Sequence, residues 1–455
     1  MIKTLSNSQP NTISKNHNIL WIFGDQHRGQ AMSCAGDPNV STPNLDLLAL
    51  EGYRVTGGVS GFPLCCPYRG ALLSGCYPHH SVPGHEYQLD PQKPTIATAF
   101  NQAGYHTAYF GKWHVDGFHE SQGRAAFHRI PRDRRGGFQQ WLGYENNNSQ
   151  WDTWVHGGNQ SEEIEPYRLP GFETDELTNL LISYLKDRAQ NPDNPFFGVL
   201  SVQPPHNPYT PPQEWMGTHH PRKLDLRPNV PLVERIQDQA RLELAGYYGL
   251  IENWDWNVGR IIQTLRDTGL VENTWVIFFS DHGDMHGSHG QFRKTTPYQE
   301  AISVPMIISE PGRTNQFQNY QTRDCLINHV DLGPTSLGFC GIPVPDWMEG
   351  TDYSGLFTPN PLTQEYPSSA YLQCVIPPKH RDSVDKPWRG VITLDRWKYV
   401  CFPNQDWLMF NLKEDPYEQV NLAHNVRYKA QRDRLRAETL GWVEKTGDQF
   451  QVPRD

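Results

Sequence analysis

The stretch GFPLCCPYRGALLSGC places two adjacent thiols, Cys65 and Cys66, directly before a proline and an arginine. Pro67 suits the first turn of a helix, so the pattern predicts a helix with both cysteines at its N-terminal end. There the helix dipole favours negative charge and lowers the pKa of a thiol. Cys65 is therefore a candidate nucleophile; the alternative is a buried cysteine with a structural role. Arg69 lies four residues after Cys65, which does not fit the anion cradle of the cysteine phosphatases.

Two aspartates that lie far apart in the chain have the chemistry of metal ligands. Asp25 follows the apolar run NILWIFG, and Asp281 with His282 follows TWVIFFS. Sites dominated by oxygen favour Ca²⁺, Mg²⁺ or Mn²⁺ over Zn²⁺, which prefers nitrogen and sulfur. The sequence leaves a local alternative open, in which Asp25 caps a helix and Asp281 closes a turn.

The segments that must position these residues alternate between buried strands and helices. Strands are predicted at 18–24, 107–111, 196–202 and 274–280, and helices at 42–53, 95–105, 174–188 and 243–269. This alternation predicts an α/β fold with a mostly parallel sheet between helices. The residues that follow the strands are polar: Asp25, Gln26, His27, Lys112, His114, His206, Asp281 and His282. Because ligands bind at the carboxyl ends of such strands, we expect these clusters to meet at one edge.

The pattern changes near residue 366. Short alternating strands in SSAYLQCV, WRGVITLDRWKYVCF and DWLMFNL precede a charged helical segment at 427–447. This predicts a smaller antiparallel α+β subdomain over 366–455 with a terminal helix, joined by the proline-rich stretch 357–367 to a main domain over 18–365. Residues 1–17 are predicted to form a flexible tail.

Composition narrows the classes of function. Forty basic and fifty acidic residues give a net charge of −10, which argues against a nucleic-acid-binding surface. The eight cysteines form no CxxC pair, so neither a disulfide framework nor a zinc knuckle is indicated. No secretory signal is visible, and no stretch approaches the roughly 20 apolar residues of a membrane span. We therefore expect a cytoplasmic protein without a membrane partner, or a periplasmic or secreted one if a leader has been removed.

The motif CCPYR followed by GALLSG resembles the Cys-x-Pro-x-Arg signature of the type I sulfatases, within the alkaline phosphatase superfamily. Further motifs resemble that family in the expected order: ILWIFGDQ, TPNLDLLALEGYRVTGG, GYHTAYFGKWH, PPHNPY, FFSDHGDMHGSHGQFRK, WRGVITLDRWKYV and MFNLKEDPYEQVNLA. The resemblance spans residues 18 to 424. It implies an alkaline-phosphatase-like fold and an enzyme that hydrolyses sulfuric esters.

The resemblance also implies a modified residue. Cys65 would be oxidised by a formylglycine-generating or other sulfatase-maturing enzyme to formylglycine (3-oxoalanine), and Cys66 would be a bystander. The hydrated aldehyde has two hydroxyls, of which one attacks sulfur and the other lets the covalent sulfate leave as the aldehyde re-forms.

Roles for the other site residues are implied in the same way. A divalent cation, Ca²⁺ or alternatively Mn²⁺ or Mg²⁺, would be bound by Asp25, Gln26, Asp281, His282 and the modified Cys65. Arg69 and Lys112 would orient the formylglycine hydroxyls, and His114 would take a hydroxyl proton. Lys294 and His206 would clamp the sulfate, and His206 or a neighbour would protonate the leaving alcohol.

Two positions depart from the usual pattern of the family. Gln26 stands where many relatives have aspartate, and His282 where asparagine is common. Glutamine and histidine also occur in relatives that cleave phosphonate monoesters or phosphodiesters, so a phosphorus ester stays open as the alternative substrate. A second alternative is an inactive sugar-binding relative in which Cys65 is not modified.

The preferred substrate is a sulfated small molecule or oligosaccharide, because arginines and tryptophans cluster after Lys112. Guanidinium groups match sulfate and carboxylate oxygens, and tryptophans stack on sugar rings. The arginines are Arg124, Arg129, Arg132, Arg134 and Arg135, followed by three tryptophans within 140–154. The alternative is a solvated loop with internal ion pairs, with the tryptophans in the core. A homo-oligomer stays open.

Overall fold

The structure is a computed structural model that describes residues 17–312, 320–357, 365–378 and 383–454. The predicted N-terminal tail therefore lies outside the described residues, except for His17, as does part of the proline-rich joint. The predicted domain boundaries stay predictions.

A ten-stranded mixed sheet organises most of the chain. Its strands are β1 (Asn18–Asp25), β2 (Gly52–Val59), β3 (His106–Lys112), β4 (Gln140–Tyr144), β5 (Trp154–Gly158), β6 (Glu163–Arg168), β7 (Phe196–Pro205), β8 (Thr274–Ser280), β9 (Met306–Ser309) and β10 (Gln321–Asn328). They lie in the order β10-β2-β9-β8-β1-β7-β3-β4-β5-β6. The central run from β8 through β1, β7 and β3 to β4 is parallel throughout. The expected α/β fold is thus confirmed.

Helices cover both faces of this sheet, as a central parallel sheet requires. The helices are α1 (Pro43–Leu50), α2 (Cys65–Ser74), α3 (Ile96–Gln102), α4 (Glu173–Ala189), α5 (Glu234–Asp267), α6 (Gln299–Ile302), α7 (Leu332–Phe339) and α8 (Lys429–Thr446). Side chains of β1 alternate between the faces, with Trp21 packed in the core that contains α2, α3 and α7. Ile22 packs in the opposite core, which contains α1, α4 and α5.

The four predicted strands are confirmed to within a few residues. Of the predicted helices, 42–53 and 95–105 are too long, and 243–269 begins too late, because α5 already starts at Glu234. The segment 42–53 is helical only over Pro43–Leu50, because Gly52 already begins β2. A Cβ atom at Gly52 would lie 2.4 Å from the carbonyl oxygen of Ile308 in β9. The close pairing of these two strands therefore requires glycine at position 52, where the chain passes from α1 into β2.

The C-terminal part forms a second, four-stranded antiparallel sheet, as predicted. Its strands, in spatial order, are β11 (Ser369–Cys374), β12 (Trp388–Thr393), β13 (Trp397–Phe402) and β14 (Gln405–Asn411). One face packs on Phe62 and Leu64, immediately before α2, and Trp388 Nε1 donates a hydrogen bond to the carbonyl oxygen of Thr295 at 3.3 Å. The small sheet therefore supports the segment that leads into Cys65 and the loop that carries Lys294.

Among the described residues, none of the helices combines the length and the apolar character needed to cross a bilayer.

Candidate active site

The sheet order brings the predicted polar clusters to one edge. Strands β8, β1, β7 and β3 are neighbours and run in the same direction, so their carboxyl ends carry Asp281, Asp25, His206 and Lys112 to the same place. Ligand atoms of Asp25, Cys65, Asp281 and His282 all lie within 4.8 Å of one another. The expected convergence is confirmed.

Cys65 is the first residue of α2, where the sequence predicted the start of a helix. Its side chain is almost fully buried, at 2 % exposure. The Sγ atom lies 3.5 Å from Asp25 Oδ1, 3.2 Å from His282 Nε2 and 3.0 Å from Lys294 Nζ. A thiol surrounded by a carboxylate, an imidazole and an ammonium group is not in the apolar surroundings of an ordinary structural cysteine.

Two buried cations hold the carboxylates in place. Lys112 Nζ lies 2.7 Å from Asp25 Oδ2. Arg69 Nη2 lies 3.4 Å from the same oxygen and 3.3 Å from Asp281 Oδ2, while its Nη1 donates to Ser201 Oγ at 2.7 Å. The two carboxylates are therefore fixed by ion pairs to side chains of two other elements, α2 and β3.

The two carboxylates differ in their tendency to ionise. Burial opposes the charge of Asp25, but Lys112 and Lys294 outweigh burial and hold the pKa of Asp25 well below its usual range. Burial, and then the charge of Asp25, raises the pKa of Asp281 to about 6. A cation placed between them would remove this repulsion, so the pair fits a divalent metal ion.

Gln26 strengthens this fit. Its Nε2 donates to Asp284 Oδ2 at 2.6 Å and to the hydroxyl of Tyr209 at 3.1 Å, which fixes the orientation of the amide. The Oε1 atom is left buried without a hydrogen-bond partner. Because an unpartnered buried carbonyl is costly, this oxygen is a natural additional ligand for a hard cation.

Two histidines complete the site as neutral imidazoles. His114 is buried, and burial together with Lys112 lowers its pKa well below the usual value. His206 is partly buried, and burial together with Lys294 lowers its pKa. Its Nδ1 lies 2.7 Å from the carbonyl oxygen of Asn207, so Nδ1–H donates there and Nε2 carries the lone pair.

A cavity of about 210 Å³ opens above these groups. Its lining includes Cys65, Lys112, His114, His206 and Lys294, and beyond them His85, Glu120, Asn146, Asn148, Asn207, Arg293, Thr295 and Ser383. Leu64 is the one aliphatic side chain among the described residues that line it. Most of the residues that line the cavity therefore carry a group that can hydrogen-bond or a charge.

Comparison with known proteins identifies the family. Residues 17–342 match the sequence model described as Sulfatase, and residues 287–444 match the one described as N-sulphoglucosamine sulphohydrolase, C-terminal. The chain belongs to the sulfatase family. The expectations of a sulfuric ester hydrolase and of an alkaline-phosphatase-like fold are thereby confirmed. Members of this family use a metal ion and a formylglycine residue.

Individual relatives cover nearly the whole sulfatase chain. It is 34 % identical over 439 residues to an ulvan-active sulfatase of Formosa agariphila, covering 95 % of this chain and 82 % of the relative. It is 29 % identical to an endo-4-O-sulfatase of Bacteroides thetaiotaomicron, covering 89 % and 87 %. A solved structure from work on glycosaminoglycan metabolism by B. thetaiotaomicron superposes with a TM-score of 0.83 at 26 % identity, covering 96 % and 97 %.

The arginine-rich segment of the sulfatase forms internal ion pairs, which is the alternative that the sequence left open. The pairs are Arg124 with Asp152, Arg129 with Glu165, Arg132 and Arg135 with Glu163, and Arg134 with Asp116. None of these arginines lines the cavity above Cys65. Of the three tryptophans, Trp141 is buried, Trp154 is partly buried and Trp151 is 44 % exposed.

Several residues of the sulfatase site were not singled out from the sequence. Asp284 and Tyr209 orient Gln26. Tyr209 lies in PPHNPY, close to His206, and Asp284 lies in FFSDHGDMHGSHGQFRK, close to Asp281. These positions next to predicted site residues could have indicated their role. Glu120, Asn146 and Asn148 line the cavity, where Glu120 Oε1 accepts from Asn146 Nδ2 at 2.8 Å. No motif marks these three, because loops outside the strand pattern bring them together.

Proposed function

We propose that this sulfatase removes sulfate from a sulfated carbohydrate, with Cys65, converted to formylglycine, as the nucleophile and Ca²⁺ as the metal ion. The observation that carries the proposal is the position of Cys65 Sγ, between Asp25, His282 and Lys294 at the base of a cavity. The hydrogen-bonding side chains that line that cavity, among them Glu120, Asn146 and Asn148, suit the hydroxyl groups of a sugar. The names of the ulvan-active and endo-4-O-sulfatase relatives point to the same class of substrate.

The residues that would hold the metal ion are Asp25, Gln26, Asp281, His282 and residue 65. Four of them offer oxygen once residue 65 is formylglycine, and Ca²⁺ accepts an irregular set of oxygen ligands, which supports Ca²⁺ over Zn²⁺. When bound, the ion would polarise a sulfate oxygen and favour ionisation of the attacking hydroxyl. Formylglycine would supply that hydroxyl and a second one for release of the sulfate.

The positive side chains around residue 65 are already in place before substrate binds. Lys112 keeps Asp25 ionised despite its burial, and Lys112 and Arg69 fix its carboxylate beside residue 65. Lys294 lies next to the attacking atom, where it can bind sulfate oxygens whose negative charge grows toward the transition state. Preorganised positive charge of this kind lowers the barrier because it does not have to be assembled during the reaction.

The imidazoles of His114 and His206 would transfer protons during the reaction. His114 is buried and neutral, with an Nδ1 atom that has no hydrogen-bond partner, so it can accept a proton from a hydroxyl of residue 65 during release of sulfate. His206 is neutral in the free site, with its lone pair on Nε2. Bound sulfate would oppose the charge of Lys294 and so favour protonation of His206, which could then donate to the leaving alcohol.

The burial of Cys65 also bears on its maturation. At 2 % exposure and in the first turn of α2, the thiol is not accessible to another enzyme in the folded chain. A maturing enzyme would therefore act on this segment before folding is complete.

The test compares substrates and metal ions on one preparation. Sulfated mono- and disaccharides, a nitrophenyl sulfate and the matching nitrophenyl phosphodiester are assayed with Ca²⁺ and with Mn²⁺, and the mass of the peptide around Cys65 is measured. We expect modified Cys65, the highest kcat/KM on a sulfated sugar, and more activity with Ca²⁺. Cys65→Ala should be inactive, whereas Cys66→Ala is the matched control that keeps activity.

Two results would contradict the proposal. A higher kcat/KM for the phosphodiester would favour the phosphorus-ester alternative. If protein from the native host carries an unmodified thiol at Cys65 and turns over none of these substrates, the alternative of an inactive sugar-binding protein would be favoured.

A further inference from the structure

A second group of metal-ligating side chains lies beside the first and has different chemistry. Ligand atoms of Cys66, His85 and His114 lie within 4.8 Å of one another. Cys66 Sγ is 3.6 Å from His85 Nδ1, and the rings of His85 and His114 meet edge to face at 5.6 Å. The three residues offer one sulfur and two nitrogen ligands, with no carboxylate.

The orientation of His85 suits a metal ligand. Its Nε2 lies 3.8 Å from Glu86 Oε1, and that carboxylate is itself fixed by the backbone N–H of Glu120 at 2.8 Å and by His119 Nδ1 at 2.8 Å. At this ion-pair distance the carboxylate favours the proton on Nε2, so the lone pair of Nδ1 faces Cys66. Metal-binding histidines are commonly oriented by such a carboxylate.

His114 supplies an independent observation. The side chain is 3 % exposed, and its Nδ1 has no hydrogen-bond partner. A buried imidazole nitrogen without a partner loses its hydration without compensation. Because His114 is neutral, it is in the form that coordinates a metal ion.

The spacing agrees with zinc. Zinc–sulfur and zinc–nitrogen bonds at a tetrahedral angle place the two ligand atoms about 3.6 Å apart, and Cys66 Sγ and His85 Nδ1 are 3.6 Å apart. A set of one thiolate and two imidazoles selects Zn²⁺ over Ca²⁺, whereas the neighbouring aspartates favour the reverse. His85 and His114 also line the cavity, so a fourth ligand position can face water.

We propose that Cys66, His85 and His114 form a Zn²⁺ site, separate from the aspartate site, and that zinc bound there inhibits the sulfatase by occupying His114. On binding, the Cys66 thiol releases its proton to solvent as the sulfur–zinc bond forms, and no electron transfer is involved. The inhibition rests on the proposed role of His114 in proton transfer. The binding of zinc does not rest on it.

Binding is tested first, without reference to activity. Co²⁺, which takes the place of Zn²⁺ and gives a thiolate charge-transfer absorption, is added to the Cys65→Ala protein in excess Ca²⁺. The same titration is made on the Cys65→Ala/Cys66→Ala protein. We expect the absorption in the first and its loss in the second, with displacement of Co²⁺ by Zn²⁺. Absence of the absorption in the first protein, or its persistence in the second, would overturn the site.

Inhibition is tested next, on the active enzyme in excess Ca²⁺. Zn²⁺ should inhibit the wild type reversibly. Cys66→Ala should keep its activity in the absence of zinc. Its zinc affinity should fall by more than about 100-fold, because loss of a residue that only hydrogen-bonds to a metal ligand already costs up to that much. Glu86→Gln should weaken zinc binding by about 10-fold. Cys76→Ser, which removes a partly exposed thiol elsewhere, is the matched control and should change nothing.

The outcomes separate the two proposals. Zinc binding without inhibition would support the site and contradict the role of His114. Equal inhibition of wild type and Cys66→Ala would overturn the zinc site even if the enzyme is a normal sulfatase. If Cys66→Ala does not fold, His85→Gln at the cavity wall provides the second variant, with the same expected loss of zinc affinity.

Discussion

Lys294 Nζ lies 3.0 Å from Cys65 Sγ, although 229 residues separate them in the chain. The same ammonium group is 3.8 Å from Asp25 Oδ1. Burial opposes the charge of Lys294, but Cys65 and Asp25 outweigh burial and raise its pKa to about 12. A permanently charged group is therefore held against the reacting residue.

Replacing Lys294 should remove transition-state stabilisation without unfolding the protein. Lys294→Met keeps the length of the side chain and removes its charge, so we expect kcat/KM to fall about 10²- to 10³-fold, as for loss of a single oxyanion donor. The measurement is steady-state kinetics on a sulfated sugar, with the melting temperature as a check on folding. Lys413→Met, at an exposed position, is the matched control. A loss of less than about threefold would contradict the role of Lys294.

The aspartate pair predicts a stability that depends on the metal ion. Asp25 and Asp281 repel each other across the site, which contributes to the raised pKa of Asp281. A Ca²⁺ concentration of 100 times Kd would stabilise the fold by about 2.7 kcal/mol, so chelation should lower the melting temperature of the wild type. Asp281→Asn removes one of the repelling charges. It should melt higher than the metal-free wild type and gain little from Ca²⁺.

Calorimetric melting of both proteins with Ca²⁺ and with chelator checks this prediction. An equal gain from Ca²⁺ in wild type and Asp281→Asn would show that the ion binds elsewhere.

The parts of the site that the sequence could predict are those carried by strand ends. Asp25, Lys112, His206 and Asp281 each follow an apolar run, and parallel strands must bring their carboxyl ends together. The position of Lys294 could not be derived in this way. Its loop is supported by the hydrogen bond from Trp388 in β12 to Thr295, a contact between the small sheet and a loop distant in the chain that no local pattern encodes.

Packing between elements also explains the other differences. Strand β2 was missed because its glycines weaken a strand pattern, yet a Cβ at Gly57 would lie 2.4 Å from the carbonyl oxygen of Cys325 in β10. The close approach of two backbones requires glycine there. Likewise, the arginines between residues 124 and 135 form a cluster of positive charge in the sequence, because their acidic partners, such as Glu163 and Glu165, lie further along the chain.

The role of His206 predicts a dependence on the leaving group. An imidazole that donates a proton matters most when the departing alcohol is a poor leaving group. We expect His206→Ala to lower kcat/KM about 10²- to 10⁴-fold on a sulfated sugar, within the range for general acids, and much less on a nitrophenyl sulfate. The two substrates are compared on the same preparation, and His220→Ala, outside the cavity, is the control. Equal losses on both would indicate sulfate binding only.

His329 predicts how stability changes with pH. The side chain is 1 % exposed and packs on the ring of Tyr68 at 4.7 Å, and burial lowers its pKa to about 3. Between about pH 3 and pH 6.5, His329 is therefore protonated in the unfolded state and neutral in the folded state. The stability from this group is complete above pH 6.5 and is lost as the pH falls, by up to about 1.4 kcal/mol per pH unit.

The test of this sign compares wild type with His329→Asn. The new Oδ1 can replace Nδ1 as acceptor of the Gly61 N–H, a hydrogen bond of 3.1 Å. The variant should be less stable at pH 7 because it loses packing on Tyr68, and the wild-type advantage should shrink as the pH is lowered to about 4.5. Urea unfolding at each pH measures the difference, since every other group titrates equally in both proteins. His424→Asn, at an exposed position, should leave the pH dependence unchanged. An advantage that is constant or grows toward low pH would mean that His329 is protonated in the folded protein, which its buried position opposes.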